Sequence, residues 1–193
     1  MIMIQTMNAF IKKPIIFSII VVILSTAWVF YTSKKNQDPS ANIFSAPQKG
    51  FLAPDFSLSN LEDETIQLSN FKGNIVMVNV WASWCKPCQY EMPAMQKIHK
   101  KYSESGLVIL AVNNTYQDNY SDVVNFVADN NLTFPILLDR TGEVSKLYQV
   151  QALPSTYFID QNGIIDDIII GGPMSDALIE SKILELEDNV SNP

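Results

Sequence analysis

The chain is poor in the residues that metal centres and stapled domains need. Its 193 residues include two cysteines and one histidine. Two cysteines exclude a disulfide-stapled mini-protein. With one histidine they fall short of the four ligands of a structural zinc site, unless carboxylates or a second chain contribute. A basic excess is also missing. Lys and Arg number 13 against 20 Asp and Glu, a formal charge of −7. A nucleic-acid binder normally carries a basic patch, so no nucleic-acid partner is expected. Hydrophobic residues make up 47% and charged residues 17%, which excludes a disordered chain and requires a buried core. The sequence has no internal repeat and no low-complexity run. Its length fits one domain with appendages.

One stretch lacks charge altogether. The 20 residues from Pro14 to Ser33, PIIFSIIVVILSTAWVFYTS, are long enough to span a bilayer. Lys12 and Lys13 precede them, and Lys34 and Lys35 follow. Trp28 and Tyr31 lie near the far end, where amphipathic aromatics favour the headgroup level. The segment reads as an uncleaved signal anchor over 14–33, behind a short tail over 1–13. The competing reading is a cleaved signal peptide with Ser25 and Ala27 as the small-residue site. The apolar run continues through Val29 and Phe30, which favours the anchor. No cysteine lies near Ala27 to carry a lipid. The lysine pairs balance, so the positive-inside count gives no orientation. The short tail and signal-like layout favour the tail inside and the domain outside. Beyond residue 35 there are 9 basic residues against 20 acids, a net of −11. Such a surface is repelled by anionic lipid.

Residues 34–50, KKNQDPSANIFSAPQKG, are polar, hold two prolines and show no period, as in a linker. Residues 51–190 then alternate like a single α/β domain. Thr65 to Leu68 reads as a short edge strand. Ile75 to Trp81 (IVMVNVW) is a nearly continuous apolar run, as in a strand buried on both faces. Helical spacing follows over Glu91 to Tyr102, then a strand over Leu107 to Val112. A helix over Ser121 to Asn130 has Ser121 as its cap. Phe134 to Leu138 is a strand and Glu143 to Tyr148 a short helix. Strands over Thr156 to Asp160 and Ile164 to Ile170 flank Asn162-Gly163, a hairpin signal. Ser175 to Leu186 closes as a helix. This order predicts a mixed sheet with helices on both faces.

The chemistry concentrates at Trp84-Cys85-Lys86-Pro87-Cys88, where the buried strand ends and a helix begins. A helix N-terminus offers unpaired N–H groups and partial positive charge, both of which favour a thiolate. Cys85 lies at the helix mouth and is expected to be the exposed nucleophile. Cys88, one turn inward, is close enough for a disulfide and can resolve a mixed disulfide at Cys85. Pro87 in the first turn removes an N–H that would be unsatisfied anyway. A purely structural bridge closing so small a loop would constrain little of the unfolded chain. Haem attachment needs histidine where Gln89 stands. A peroxidatic site would need proline and threonine where Val78 and Ala82 stand. Lys86 either favours the Cys85 thiolate or is an exposed lysine of no consequence. His99, among lysines, reads as a solvated surface residue. Pro93 falls in the helix interior, where it should kink the helix. Gly171-Gly172-Pro173 reads as a turn.

The segment WASWCKPCQYEMP, with ALPSTYFID from Ala152, resembles the thioredoxin superfamily. The block APDFSLSNLEDETIQLSNFKGN from Ala53 narrows this to the membrane-anchored TlpA/ResA/CcmG branch of thiol–disulfide oxidoreductases, many of which serve cytochrome c maturation. The resemblance runs from Ala53 to Leu186. It implies a thioredoxin-like fold, Cys85 as attacking thiolate, Cys88 as resolving thiol, and Trp84 as a shield. It also implies a cis-Pro154 facing the cysteines, with Leu153 offering backbone bonds to an extended substrate. From the residues alone, Pro154 would be a trans proline opening a strand. Asn79 stands where thioredoxins carry a buried aspartate. The branch instead has an acid at the position of Glu91, three residues after Cys88 and on the same helical face. A partly buried carboxyl there would titrate high and could shuttle the Cys88 proton. From the residues alone Glu91 would be a solvated surface glutamate.

The resemblance implies reduction of protein disulfides on the extracytoplasmic side of a bacterial plasma membrane. No cofactor or metal is expected beyond the Cys85–Cys88 disulfide. Expected partners are proteins with cysteines, apocytochrome c among them, and a membrane or thioredoxin-type electron donor. Two rivals stay open. One is a disulfide oxidase or isomerase of extracytoplasmic folding. The other is a tethered thioredoxin-like binding module whose dithiol is only a redox latch.

Overall fold

Residues 75–81 alternate in which neighbours they meet, and that alternation organises the molecule. Ile75, Met77 and Trp81 point into one apolar cluster, whereas Val76, Val78 and Val80 point into another, as the two-residue period of a strand requires. Both clusters are buried, so every residue of this strand is buried. In the computed structural model, the described residues are 21–26, 28 and 44–191. The chain divides into two units, Met1–Ile43 and Phe44–Pro193. In the first, residues 21–26 and 28 are helical. The rest of the expected tail, anchor and linker, 1–20, 27 and 29–43, lies outside the described residues. Among the described residues no helix is long and apolar enough to cross a membrane.

The second unit runs β1 (Ser57–Ser59), β2 (Thr65–Gln67), β3 (Ile75–Trp81), α1 (Lys86–Tyr102), β4 (Leu107–Asn113), α2 (Tyr120–Asp129), β5 (Ile136–Leu138), α3 (Glu143–Leu147), β6 (Ser155–Ile159), β7 (Ile165–Ile170) and α4 (Asp176–Ser191). Five strands form one sheet in the order β5-β4-β3-β6-β7. β3 and β5 flank β4 in parallel, and β6 pairs antiparallel with both β3 and β7. On one face Met92, Met95 and Ile98 of α1, Val123 of α2, and Ile179 and Ile183 of α4 cover the sheet. On the other, Val144 of α3 joins Tyr148, Phe56 and Leu68. This is a thioredoxin-like α/β fold with a mixed sheet and helices on both faces.

The boundaries differ where side chains outside the apolar pattern decide them. Residues 44–50, read as linker, belong to the folded unit: Ala46 N–H donates to Leu52 O at 3.0 Å, and Gly50 N–H to Ile165 O at 2.7 Å. The expected edge strand at Thr65 pairs only with β1, in a separate two-stranded sheet. Asn119, not Ser121, caps α2, because its side-chain oxygen accepts the Ser121 N–H at 2.9 Å. Helix α1 continues through Pro93, which is exposed. The hairpin turn holds Gly163 at φ 85°, a left-handed conformation that costs glycine nothing.

Candidate active site

β3 delivers the chain to the C-terminal edge of the sheet, and a three-residue loop, Ala82 to Trp84, leads into α1. That loop is held by one carboxylate. Asp118 accepts the Ser83 N–H and the Ser83 hydroxyl, both at 2.6 Å, the Asn113 side-chain amide at 2.8 Å and the Asn119 N–H at 2.8 Å. Trp84 stands 56% exposed and donates its indole N–H to Gln117 O at 2.9 Å.

Cys85 is the N-cap of α1. Its Sγ accepts the Cys88 N–H at 3.3 Å, and the two cysteines are joined in a disulfide with their Cα atoms 5.2 Å apart. Pro87 occupies the first turn. In this oxidised form Cys85 is only 4% exposed. In the bridged form Cys85 is therefore not the exposed residue expected, and it packs with Cys88 in one apolar cluster. Access comes from one side, through a groove of about 800 Å³ that Trp84, Cys85, Lys86, Pro87 and Leu153 help to line. Lys86 is exposed, and its ammonium donates to Gln89 Oε1 at 3.2 Å.

The peptide between Leu153 and Pro154 is cis. Pro154 is buried immediately before β6, Leu153 is half-buried, and the Pro154 carbonyl accepts the Gly171 N–H at 2.8 Å. Leu153 shares the groove with Cys85.

Glu91 lies one turn beyond Cys88 on the inner face of α1 and has no solvent exposure. Its Oε1 accepts the Asn79 side-chain amide at 2.8 Å, and its Oε2 accepts the Met174 N–H at 3.2 Å. Asn79 Nδ2 also donates to Thr156 Oγ1 at 2.9 Å, across the β3–β6 pair in which the two residues are register partners. Burial pushes the Glu91 carboxyl up from 4.5 to about 7, against the two hydrogen bonds, which favour the anion. A carboxyl so tuned can exchange a proton near neutral pH.

Several residues of this site escape a reading of the local pattern. Asn79 reaches Glu91 from the strand that precedes α1, and Thr156 reaches Asn79 from a strand far along the chain. Gly172, read as a turn residue, closes the other side. A Cβ there would stand 2.8 Å from both Glu91 Oε2 and Pro154 Cγ. The one available signal was Asn79 itself, a lone amide in an apolar strand that had to find a partner. His99 is half-buried rather than solvated. Its ring meets Phe134 edge-on with centroids 5.8 Å apart, and burial lowers its pKa. Among the described residues no group of three or more His, Cys, Asp or Glu could hold a metal ion.

The arrangement joins a bridged dithiol at a helix N-terminus, a buried carboxyl near neutrality and an open groove beside the outer sulfur. It can carry two electrons and the proton that accompanies them. The profile of the AhpC/TSA family matches residues 50–168. The chain is 41% identical over 147 residues to thioredoxin-like protein YneN of Bacillus subtilis, covering 76% of this chain and 82% of that one. It is 38% identical over 172 residues to thiol-disulfide oxidoreductase ResA of Oceanobacillus iheyensis, covering 86% of each. Among solved structures it is similar to one from Chlorobium tepidum, of a protein named as thiol:disulfide interchange protein DsbE. There the TM-score is 0.66 at 32% identity, over 72% of this chain and 97% of that one.

Proposed function

From the premise that the chain belongs to the AhpC/TSA family and is a thiol–disulfide oxidoreductase of the ResA/CcmG type, we propose that it reduces protein disulfides outside the plasma membrane, tethered by the apolar segment 14–33. Apocytochrome c is the target class that the resemblance supplies. The observation that carries exchange through this pair is Glu91, fully buried on the Cys88 side and raised to about 7, while the direction follows from the potential of the pair.

In the reduced form, the Cys85 thiolate attacks one sulfur of the target disulfide. A mixed disulfide forms and the second target sulfur leaves as a thiolate. Glu91 takes the Cys88 proton, and the Cys88 sulfur attacks Cys85. The bond to the target breaks, and the Cys85–Cys88 bridge of the present structure is restored. Two electrons have passed to the target, which leaves with both its cysteines reduced. A membrane or thioredoxin-type donor must then reduce the bridge, because the compartment is oxidising. No metal or organic cofactor enters these steps.

The reduction potential of the pair tests this directly. A value near the thioredoxin end, about −270 mV, is expected. A value near about −120 mV would make the protein a disulfide donor and reverse the direction. Trapping of target proteins on a Cys88→Ser variant separates the enzyme from a tethered binding module, which would hold its partners without a covalent link.

A further inference from the structure

The groove beside the disulfide differs in charge from the rest of the domain. Beyond residue 35 the chain carries a net −11, yet among the described residues the only charged side chains that line the groove are Lys86 and Lys146. They stand on different elements. Lys86 opens α1 next to Cys85, and Lys146 projects from α3, its ammonium 6.0 Å from the centre of the Tyr116 ring. Both are exposed, and neither pairs with a carboxylate among the described residues.

The acids that neighbour the lining residues in the chain are occupied or do not line the groove. Asp118 is engaged by four donors beneath Trp84. Asp139 is fully buried under α3, where it accepts the Val144 N–H at 3.3 Å and the Ser145 N–H and hydroxyl at 2.8 Å each. Glu143, one turn before Lys146, is exposed but does not line the groove. Two anions are thus consumed in fixing the walls, and two cations are left facing the space a substrate must enter.

We infer that this groove selects the protein substrate by charge: it takes an extended segment whose cysteine is flanked by acidic residues, which Lys86 of α1 and Lys146 of α3 pair. The inference rests on the oxidoreductase reading and names the class of target for that same site. It runs against the net charge of the domain, which taken alone would attract a basic segment.

The test uses the full chain, reduced and held in a neutral detergent. Three synthetic peptides share one intramolecular disulfide and differ only in whether glutamate, serine or lysine flanks the cysteines. Flanking charge also changes the leaving-group thiol, so each rate is divided by the rate with dithiothreitol. At 20 mM salt the glutamate peptide is expected to be reduced about fivefold faster than the lysine peptide, the scale of exposed ion pairs. At 0.5 M salt the ratio should fall toward one, because the Debye length shrinks to about 4 Å. Lys146→Gln should lower the ratio of glutamate-peptide to lysine-peptide rates, and an unchanged ratio would overturn the charge selection. Equal normalised rates, or a preference for lysine, would overturn the charge selection and leave the oxidoreductase reading standing. Failure to reduce any of the three would overturn both.

Discussion

Glu91 is the residue whose chemistry depends most on where the chain folds it. On an exposed helix it would titrate as an ordinary carboxyl. Burial raises it from 4.5 to about 7. The folded value lies above the unfolded one, so folding binds a proton. The stability associated with this group is full below about pH 4.5 and is lost as the pH rises through about 7. The loss reaches about 3 kcal/mol once the carboxyl is ionised. Glu91→Gln keeps the shape without the charge. The variant is therefore expected to resist urea better than the wild type at pH 8 and to match it near pH 4.5. Its activity should move the other way. Without a base for the Cys88 proton, resolution should slow by about a hundredfold. The mixed disulfide should then accumulate to a level that mass spectrometry can count. Equal resolution rates in the two proteins would remove Glu91 from the proton path. The sequence displayed the cysteine pair plainly, because strand end, motif and helix start coincide within a few residues. It displayed Glu91 only as a helical neighbour of Cys88. The groups packed against Glu91, Asn79 on β3 and Gly172 and Met174 after β7, are brought to it by the fold and by no local period.

At the scale of elements, two short segments fix the site, and each can be tested alone. The turn between β7 and α4 places Gly172 against Glu91 and Pro154. A methyl group there must displace a proline ring and a buried carboxyl. Gly172→Ala is expected to cost about 1–3 kcal/mol of stability, as other overpacked sites do. It should also shift the pH midpoint of activity by moving Glu91. Urea titration and a pH–rate profile on the same preparation read both effects. A stability loss with an unmoved midpoint would confine Gly172 to packing. The loop after β4 supplies Asp118, the anchor of the Ser83 loop. Asp118→Ala leaves the Ser83 and Asn113 donors unmatched, for an expected loss of about 2–3 kcal/mol. The exchange rate should fall with it, because Cys85 stands two residues after Ser83. An unchanged melting temperature would rule out the anchoring role. The strands themselves were legible wherever apolar runs are long, as in Ile75–Trp81, and where Asn-Gly marks a turn. β1 was not, since three residues with one leucine carry no period. Neither was the packing of residues 44–50, which depends on backbone bonds to Leu52 and Ile165 rather than on side chains.

At the scale of the whole molecule, sequence and chemistry make the same demand. In the proposed function the uncharged run from Pro14 to Ser33 is the tether, and the strongly acidic remainder should stand clear of anionic lipid. A dithiol that must be reduced again after each turnover gains from being held beside a membrane donor. Two membrane-level outcomes follow. The full chain should sediment with membranes and stay there through an alkaline carbonate wash, since an apolar segment long enough to span is not displaced by charge or salt. If it is released, the anchor is cleaved or does not span. The side of the membrane is tested on intact cells, stripped of any outer barrier. An impermeant phosphine opens the Cys85–Cys88 bridge and an impermeant maleimide follows. Cys85 is expected to label before lysis, because its sulfur borders the open groove once the bridge is broken. Labelling only after lysis would place the domain inside, where glutathione keeps thiols reduced. The protein would then need no dedicated membrane donor, and apocytochrome c outside the membrane could not be its target.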